Sequence, residues 1–312
     1  AREHLNELFG KKYPKAFRQQ HISYYKEKDP SELALINYTS GTTGFSKGVM
    51  LPYRALWSNI DFAKGVLGKT IKKGDNTISI LPMAHMYGMS FEFLFEFLHG
   101  CHVFYLTRVP SPAIIAQAFK DVKPAIVIAV PLVIEKIIRK KVFPQIQNTK
   151  VKLLMKMPGV GKKVKKRICE QVYQAFGGNL YEVIIGGAAL NQEIESFLKD
   201  IDFPFTVGYG ATECAPIITY SDWHDFVPMS CGREVVHMEV KIDSENPETV
   251  PGEILARGLN VMLGYYKNDE ATAQTIDKDG WYHTGDLGLM DKGGNVFIKG
   301  RSKNMLLGPN GQ

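Results

Sequence analysis

Cysteine is scarce in this chain: 312 residues hold only Cys101, Cys169, Cys214 and Cys231, far apart and without paired spacing. That distribution argues against a zinc site or a disulfide framework, fits a reducing cytoplasm, and marks all four as structural thiols. Long apolar runs are missing as well. The longest, "AIVIAVPLVI" at 125–134, is about half of the roughly 20 residues a membrane-spanning helix needs, so no span is predicted. The opening "AREHLNELFGKKYPKAF" lacks the apolar core of a secretory signal and reads as a chain entering mid-fold. No internal repeat and no low-complexity linker is present. Charge excess is small too: a net +6 over this length indicates no general nucleic-acid footprint. What remains, 45% hydrophobic and 22% charged, describes a soluble globular protein with a substantial core divided into two or three lobes.

The distribution of charge says more than its sum. Between Lys150 and Arg167 stand eight basic residues and no acidic one, and Val160, Val164 and Ile168 recur at helical spacing through the second half. The segment reads as a basic amphipathic helix. A solvated surface face is the plain interpretation, and contact with anionic lipid is the alternative.

Strand-like runs alternate with helical segments over the first two thirds of the chain. "ELALINY" precedes a helix opened by Pro52, "TISILP" precedes a helix over 86–99, "CHVFYL" one over 111–122, and "AIVIAV" one over 131–141. "LYEVIIGGAAL", a helix from Asn191 to Lys199, and "FPFTVGYG" continue the series. Alternation of this kind predicts an α/β fold of layered, mostly parallel sheets with crossover helices. After about residue 226 the helical period disappears, and short strands such as "VVHMEVKI", "GEILARG" and "NVFIKG" predict a small antiparallel barrel or sandwich. The expected boundaries are 1–66, 67–225 and 226–300, with a hinge region at 301–312.

In such layers ligands collect outside the carboxyl ends of strands, so the loops there are the candidates. "YTSGTTGFSKG" at 38–48 gathers hydroxyls, glycines and one lysine, a composition suited to an anion. It is not a P-loop: Lys47 is followed by Gly48 where a magnesium-binding Ser or Thr is needed. Placed after a strand and before a helix, it is expected to present backbone amides and a helix amino end together. "GGAAL" at 186–190 keeps side chains out of the way of a flat ligand, and "GYGATE" at 208–213 offers an aromatic, a hydroxyl and a carboxylate in one turn. Glu213 supplies a hard oxygen of the kind magnesium takes. Any one of these loops alone reads as an ordinary glycine turn.

Taken in order, "YTSGTTGFSKG", "LPMAHMYG", "GYGATE", "GEILARGLNVMLGYYKN", "GWYHTGDLG" and "KGRSK" resemble the motif series of the adenylate-forming superfamily. "GGNLYEVIIGGAAL", "FPFTVGYGATECAPIITY" and "SKNMLLGPNGQ" look most like its long-chain fatty acid CoA ligase branch, and the resemblance runs from about residue 33 to the last. It implies an incomplete large N-terminal domain, with ATP and Mg²⁺ as cofactors and a fatty acid and coenzyme A as partners. It also implies roles. Thr39, Ser40, Gly41, Thr42, Thr43, Gly44 and Lys47 would grip the β- and γ-phosphates, with Ser46 standing where proline is commonest. Thr212 would contact phosphate and Glu213 the magnesium. Gly187, Ala188, Ala189, Tyr209 and Gly210 would line the nucleotide site, Asp286 would accept both ribose hydroxyls, and Arg301 would be a second ribose and phosphate contact.

His85 resembles the family histidine beside the acyl carboxylate and α-phosphate, with Lys47, Thr212 and Glu213 as its catalytic companions. Tyr87 and Gly208 would border the acyl group, and "GMSFEFLFEFL" at 88–98 would form either a pocket wall or plain core, with Glu92 and Glu96 at the solvent edge of that helix. The implied reaction adenylates a fatty carboxylate and passes the acyl group to the thiol of coenzyme A. An acyl-carrier protein as acceptor and a non-catalytic nucleotide or acyl sensor are the alternatives. Family enzymes are longer, so the chain is expected to be a piece that binds nucleotide weakly and turns over poorly by itself. Its expected location is the cytoplasm, peripheral to the inner membrane face if the basic segment 150–167 touches lipid.

Overall fold

An apolar run, residues 33–36, opens the strand Leu33–Ser40, β1, and the chain then reverses to pair it antiparallel with Ser46–Pro52, β2, in a register that sets Thr39 opposite Lys47. The computed structural model describes residues 5–12, 29–40, 46–106, 110–146, 153–155 and 157–301. The hairpin corrects one expectation. The hydroxyl-rich turn is followed by a seven-residue strand, and the helix Tyr53–Val66 starts only after Pro52, so that helix end does not close the turn directly. Pro52 is extended, as the last residue of a strand can be, and leads directly into the helix.

The α/β alternation appears in the next stretch. Asn76–Ser79 (β3) pairs parallel with His102–Tyr105 (β4), and Ile126–Ala129 (β5), Glu182–Ile185 (β6) and Phe205–Val207 (β7) form a second parallel set. The Ala125 amide donates to the Asn76 carbonyl at 2.9 Å and ties the two sets together. Crossover helices carry the expected end signals: Ser111 caps Pro112–Val122 by accepting from the Ile114 amide, and Asn191 caps Gln192–Asp200. Phe95, Phe119, Phe176 and Phe205 are fully buried between these layers, with the Phe119 and Phe176 rings stacked at 5.3 Å. Each such ring contributes about 1.5–3 kcal/mol relative to exposure.

Within residues 88–98 one face is core, while Phe97 and Leu98 at its end are exposed. Phe91 and Phe95 are buried, and the segment Gly88–Phe95 winds as a π-helix before a short α-helical turn, Glu96–His99. Glu92 and Glu96 do not form a solvent edge; each is 1% exposed. The reason is backbone satisfaction. β3 ends inside the protein, and Glu92 accepts from the Ile80 amide at 3.1 Å, the Leu81 amide at 2.9 Å and the Ser79 hydroxyl at 3.1 Å, while Glu96 accepts from Thr77 at 2.8 Å. Burial pushes the Glu92 carboxyl up to about 7 and Glu96 well above the usual range.

Beyond β7 the strands turn antiparallel: Tyr209–Gly210 (β8), Ile217–Tyr220 (β9) and Arg233–Glu234 (β10) make one ribbon. Met238–Asp243 (β11), Gly252–Gly258 (β12), Tyr282–Met290 (β14) and Val296–Arg301 (β15) form a four-stranded sheet in the order 11-12-14-15. Among the described residues this sheet does not close into a barrel. Gly264–Tyr265 (β13) departs from it and pairs with β2, Tyr265 opposite Val49. That excursion brings the region after residue 226 against the hairpin.

Candidate functional site

Lys47 lies second in β2, on the rim of the hydroxyl-rich turn. Its ammonium sits 4.6 Å from the centroid of the Tyr265 ring, a cation–π geometry. Tyr265 is buried, and its hydroxyl donates to Glu213 Oε1 at 2.8 Å. Glu213 belongs to a single 3₁₀ turn, Thr212–Cys214, whose backbone is clamped on several sides. The Met262 amide donates to the Glu213 carbonyl at 2.8 Å, and fully buried Asn59 donates to the Cys214 carbonyl while accepting from the Ile217 amide. Burial first, and then the Glu213 charge, raise the Tyr265 phenol well above its ordinary value, so it stays a donor.

A second cluster forms where the same chain enters that turn. Tyr209 in β8 donates from its hydroxyl to Asp286 Oδ2 at 2.7 Å, and Arg301 Nε donates to Asp286 Oδ1 at 3.0 Å. Antiparallel register places Asp286 directly opposite Arg301. The Thr284 hydroxyl accepts from the Asp286 amide and donates to the Ile254 carbonyl, so the strand holds the acid in place. Burial and Asp286 together raise the Tyr209 phenol.

The third part is the "LPMAHMYG" loop. His85 is exposed, and its loop is tied on both flanks: Asn37 of β1 donates to the Ala84 carbonyl at 2.7 Å, and Glu92 holds the Ile80 and Leu81 amides. Tyr87 donates to the Ile184 carbonyl at 3.0 Å and packs on Gly186, where a Cβ would lie 3.1 Å from Tyr87 Cζ. Gly187, with φ +82, and Ala188 and Ala189 are exposed beside it. Gly210 also tolerates no side chain, since a Cβ there would meet the Pro216 carbonyl at 2.2 Å.

Thr39, Thr212 and Gly208 are half-buried on these elements. Gly41, Thr42, Thr43 and Gly44 lie outside the described residues, as does the side chain of Ser40 and the hinge after Arg301. Three residues that hold these elements were not singled out from sequence, Asn37, Asn59 and Tyr265, and a fourth, Glu92, was expected at a solvent edge. Only Tyr265 carried a signal, its place within "GEILARGLNVMLGYYKN"; the asparagines are polar residues in apolar segments, which pattern alone treats as breaks.

Among the described residues no group of three or more His, Cys, Asp or Glu side chains could hold a metal ion. A lone, half-exposed carboxylate with one oxygen already hydrogen-bonded does suit Mg²⁺ that arrives on a polyphosphate, because that ion keeps its waters and phosphate oxygens and takes one or two carboxylates from protein. Glu213 fits that requirement.

Two tyrosine-bonded carboxylates, Glu213 and Asp286, thus lie at the two ends of one short segment. Residues 3–266 match the family model of the AMP-binding enzyme, so the chain belongs to that family. It is 28% identical over 327 residues to human "Long-chain-fatty-acid--CoA ligase ACSBG2", covering 97% of this chain and 48% of that protein. Among solved structures it resembles ATP-bound MatB from Rhodopseudomonas palustris, with 25% identity, a TM-score of 0.71, and 90% of this chain on 50% of that one. It also shares the fold of Bacillus subtilis O-succinylbenzoate coenzyme A synthetase in complex with ATP and magnesium ion, with 20% identity, a TM-score of 0.70, and 90% of this chain on 53% of that one. The fold is that of an adenylate-forming enzyme's N-terminal domain. The chain spans about half the length of the relatives it matches.

Proposed function

We propose that the protein containing this chain is a long-chain fatty acid–coenzyme A ligase that works through an acyl-adenylate. The observation that carries the reading is the short segment from Tyr209 to Glu213, which commits one residue at each end to a separate carboxylate site. Lys47, Thr39, Ser40, Gly41, Thr42, Thr43 and Gly44 bind the β- and γ-phosphates, and Thr212 adds a hydroxyl. Asp286 and Arg301 receive the ribose, and Gly187, Ala188, Ala189, Tyr209 and Gly210 border the base. His85 stands beside the acyl carboxylate, with Tyr87 and Gly208 toward the chain. Mg²⁺, held by Glu213, supplies neutralisation of charge on the phosphates.

The reaction proceeds in two displacements. A fatty carboxylate oxygen attacks the α-phosphorus and pyrophosphate leaves; the thiol of coenzyme A then attacks the acyl carbon and AMP leaves. The chain's residues contribute alignment and charge balance, and acid–base chemistry is secondary. ATP–pyrophosphate exchange in the whole protein with acids from C4 to C18 tests this. A maximum among long chains is expected; preference for an aromatic acid, or no exchange with any acid, sinks it.

The protein is also proposed to be cytoplasmic and to touch anionic bilayers. In support, Lys162, Lys163, Lys166 and Arg167 are exposed on the helix Val160–Ala175, and Leu153 at 64% exposure, Met157 and Val160 are exposed immediately before or at its start. The apolar stripe is narrower than its spacing implied, since Ile168 packs inward and Val160 faces out. Co-sedimentation with phosphatidylglycerol vesicles but not with phosphatidylcholine alone is the expected result; equal or absent binding to both refutes it.

A further inference from the structure

Lys47 and Glu213 come from distant parts of the chain, and the group that touches both is Tyr265. Its ring faces the Lys47 ammonium at 4.6 Å, and its hydroxyl donates to Glu213 Oε1 at 2.8 Å. Little about Tyr265 is left free to move. Its strand pairs with β2, the Leu263 amide donates to the Met50 carbonyl and the Tyr266 amide to the Gly48 carbonyl, and its own amide donates to the Thr272 hydroxyl at 2.9 Å. The same loop pins the acid from behind, through the Met262 amide on the Glu213 carbonyl.

We propose that Tyr265 is a positioning residue that makes the phosphate-binding lysine and the metal-binding acid one unit. Its hydroxyl fixes the rotamer of the Glu213 carboxylate and leaves Oε2, which accepts no hydrogen bond among the described residues, for a divalent cation carried by a polyphosphate. Its ring face gives Lys47 a resting place that holds the ammonium near the turn without pairing it to the carboxylate. This arrangement avoids a conflict. A lysine bonded directly to Glu213 would neutralise the charge the cation needs, whereas a lysine held by a ring stays available to phosphate. Hydrogen bonds to ligating carboxylates are the usual means of orienting a metal ligand, and losing one typically costs 10–100-fold in metal affinity.

The inference rests on the proposed role of Glu213, and its test separates the two. Mn²⁺ binding to the protein with saturating ATP is followed by electron paramagnetic resonance, and metal-free ATP binding by calorimetry. Tyr265→Phe keeps the ring and removes one oxygen; it is expected to weaken Mn²⁺ by about tenfold and to leave metal-free ATP binding unchanged. Tyr265→Leu also removes the ring and is expected to weaken metal-free ATP binding a few-fold as well. In a double-mutant cycle with Glu213→Gln, the hydroxyl should add no further loss once the acid is neutral. Wild-type Mn²⁺ affinity in the phenylalanine variant, or full additivity in the cycle, overturns the positioning role while leaving the Glu213 assignment intact. An unchanged Mn²⁺ affinity in Glu213→Gln alone overturns the assignment and the inference with it. Should Tyr265→Phe fail to fold, Glu213→Asp, which withdraws the acid from an intact phenol, is expected to show the same tenfold loss, and wild-type affinity there overturns the proposal.

Discussion

Asp286 and Glu213 are each hydrogen-bonded by a tyrosine and accompanied by a cation, yet they are wired differently. At Asp286 the cation, Arg301, bonds the carboxylate directly at 3.0 Å; at Glu213 the cation, Lys47, lies over the tyrosine ring, and the acid has no ion pair among the described residues. A directly paired acid has its charge balanced and is suited to accepting hydrogen bonds from neutral hydroxyls. An acid denied its cation keeps a charge for a metal. A third pair has no cation bonded to its acid among the described residues. Glu182 accepts from the Tyr220 hydroxyl at 2.5 Å, is fully buried, and is pushed up to about 8 by desolvation. At Glu182 the tyrosine hydrogen bond therefore does not offset the effect of burial.

Breaking the metal half of this comparison has the largest expected effect. Glu213→Gln should lower Mn²⁺ affinity in the ATP complex by more than about 100-fold, beyond the range for an outer-shell group, measured by paramagnetic resonance. On the other half, Asp286→Asn should weaken ATP by roughly 10–100-fold with or without metal, since hydrogen bonds to a charged group are worth about 1.5–3 kcal/mol; a loss only in the presence of metal would erase the distinction between the sites.

Glu92 offers a structural contrast to both, because its carboxyl serves backbone instead of ligand. Glu92→Ala leaves the Ile80 and Leu81 amides unpaired and should cost about 1–3 kcal/mol for each in urea unfolding, without changing metal affinity by more than the ATP affinity falls. Next comes pH. Glu92 near 7 and Glu182 near 8 hold protons in the folded state that the unfolded chain releases above its ordinary carboxyl range near 4.5. Stability is therefore expected to fall as pH rises from about 5 to about 8. Thermal melts should show that slope in wild type and a shallower one in Glu182→Gln; an equal slope removes Glu182 as its source. The smallest effect is expected from Arg301→Ala, because its side chain is 57% exposed and such pairs contribute about 0–1 kcal/mol; folding stability should barely move while ATP weakens a few-fold.

Part of the candidate site could be picked out from loop composition, as with Lys47 and Glu213, while Asp286 was pointed to only by the motif resemblance; the structure pairs Tyr209 with Asp286 and sets Tyr265 between Lys47 and Glu213. The phosphate turn was legible as a turn but not as a hairpin, because "SKGVMLP" is too short and mixed for periodicity to separate a strand from a helix start. Glu92 and Glu96 were misjudged for a related reason. Helical spacing puts charged residues on the wet face by default, and only the termination of β3 beneath that helix creates unpaired amides for a buried carboxyl to meet.

By itself the amino-acid order determined the alternation of strands and helices, the shortness of every apolar run, and the ordered motifs that place the chain among adenylate-forming enzymes, since each depends on neighbours a few residues apart. Tertiary structure alone decided that β13 crosses to the hairpin and sets Tyr265 between Lys47 and Glu213. Which cation touches which acid is a property of packing between distant strands, and no local periodicity records it.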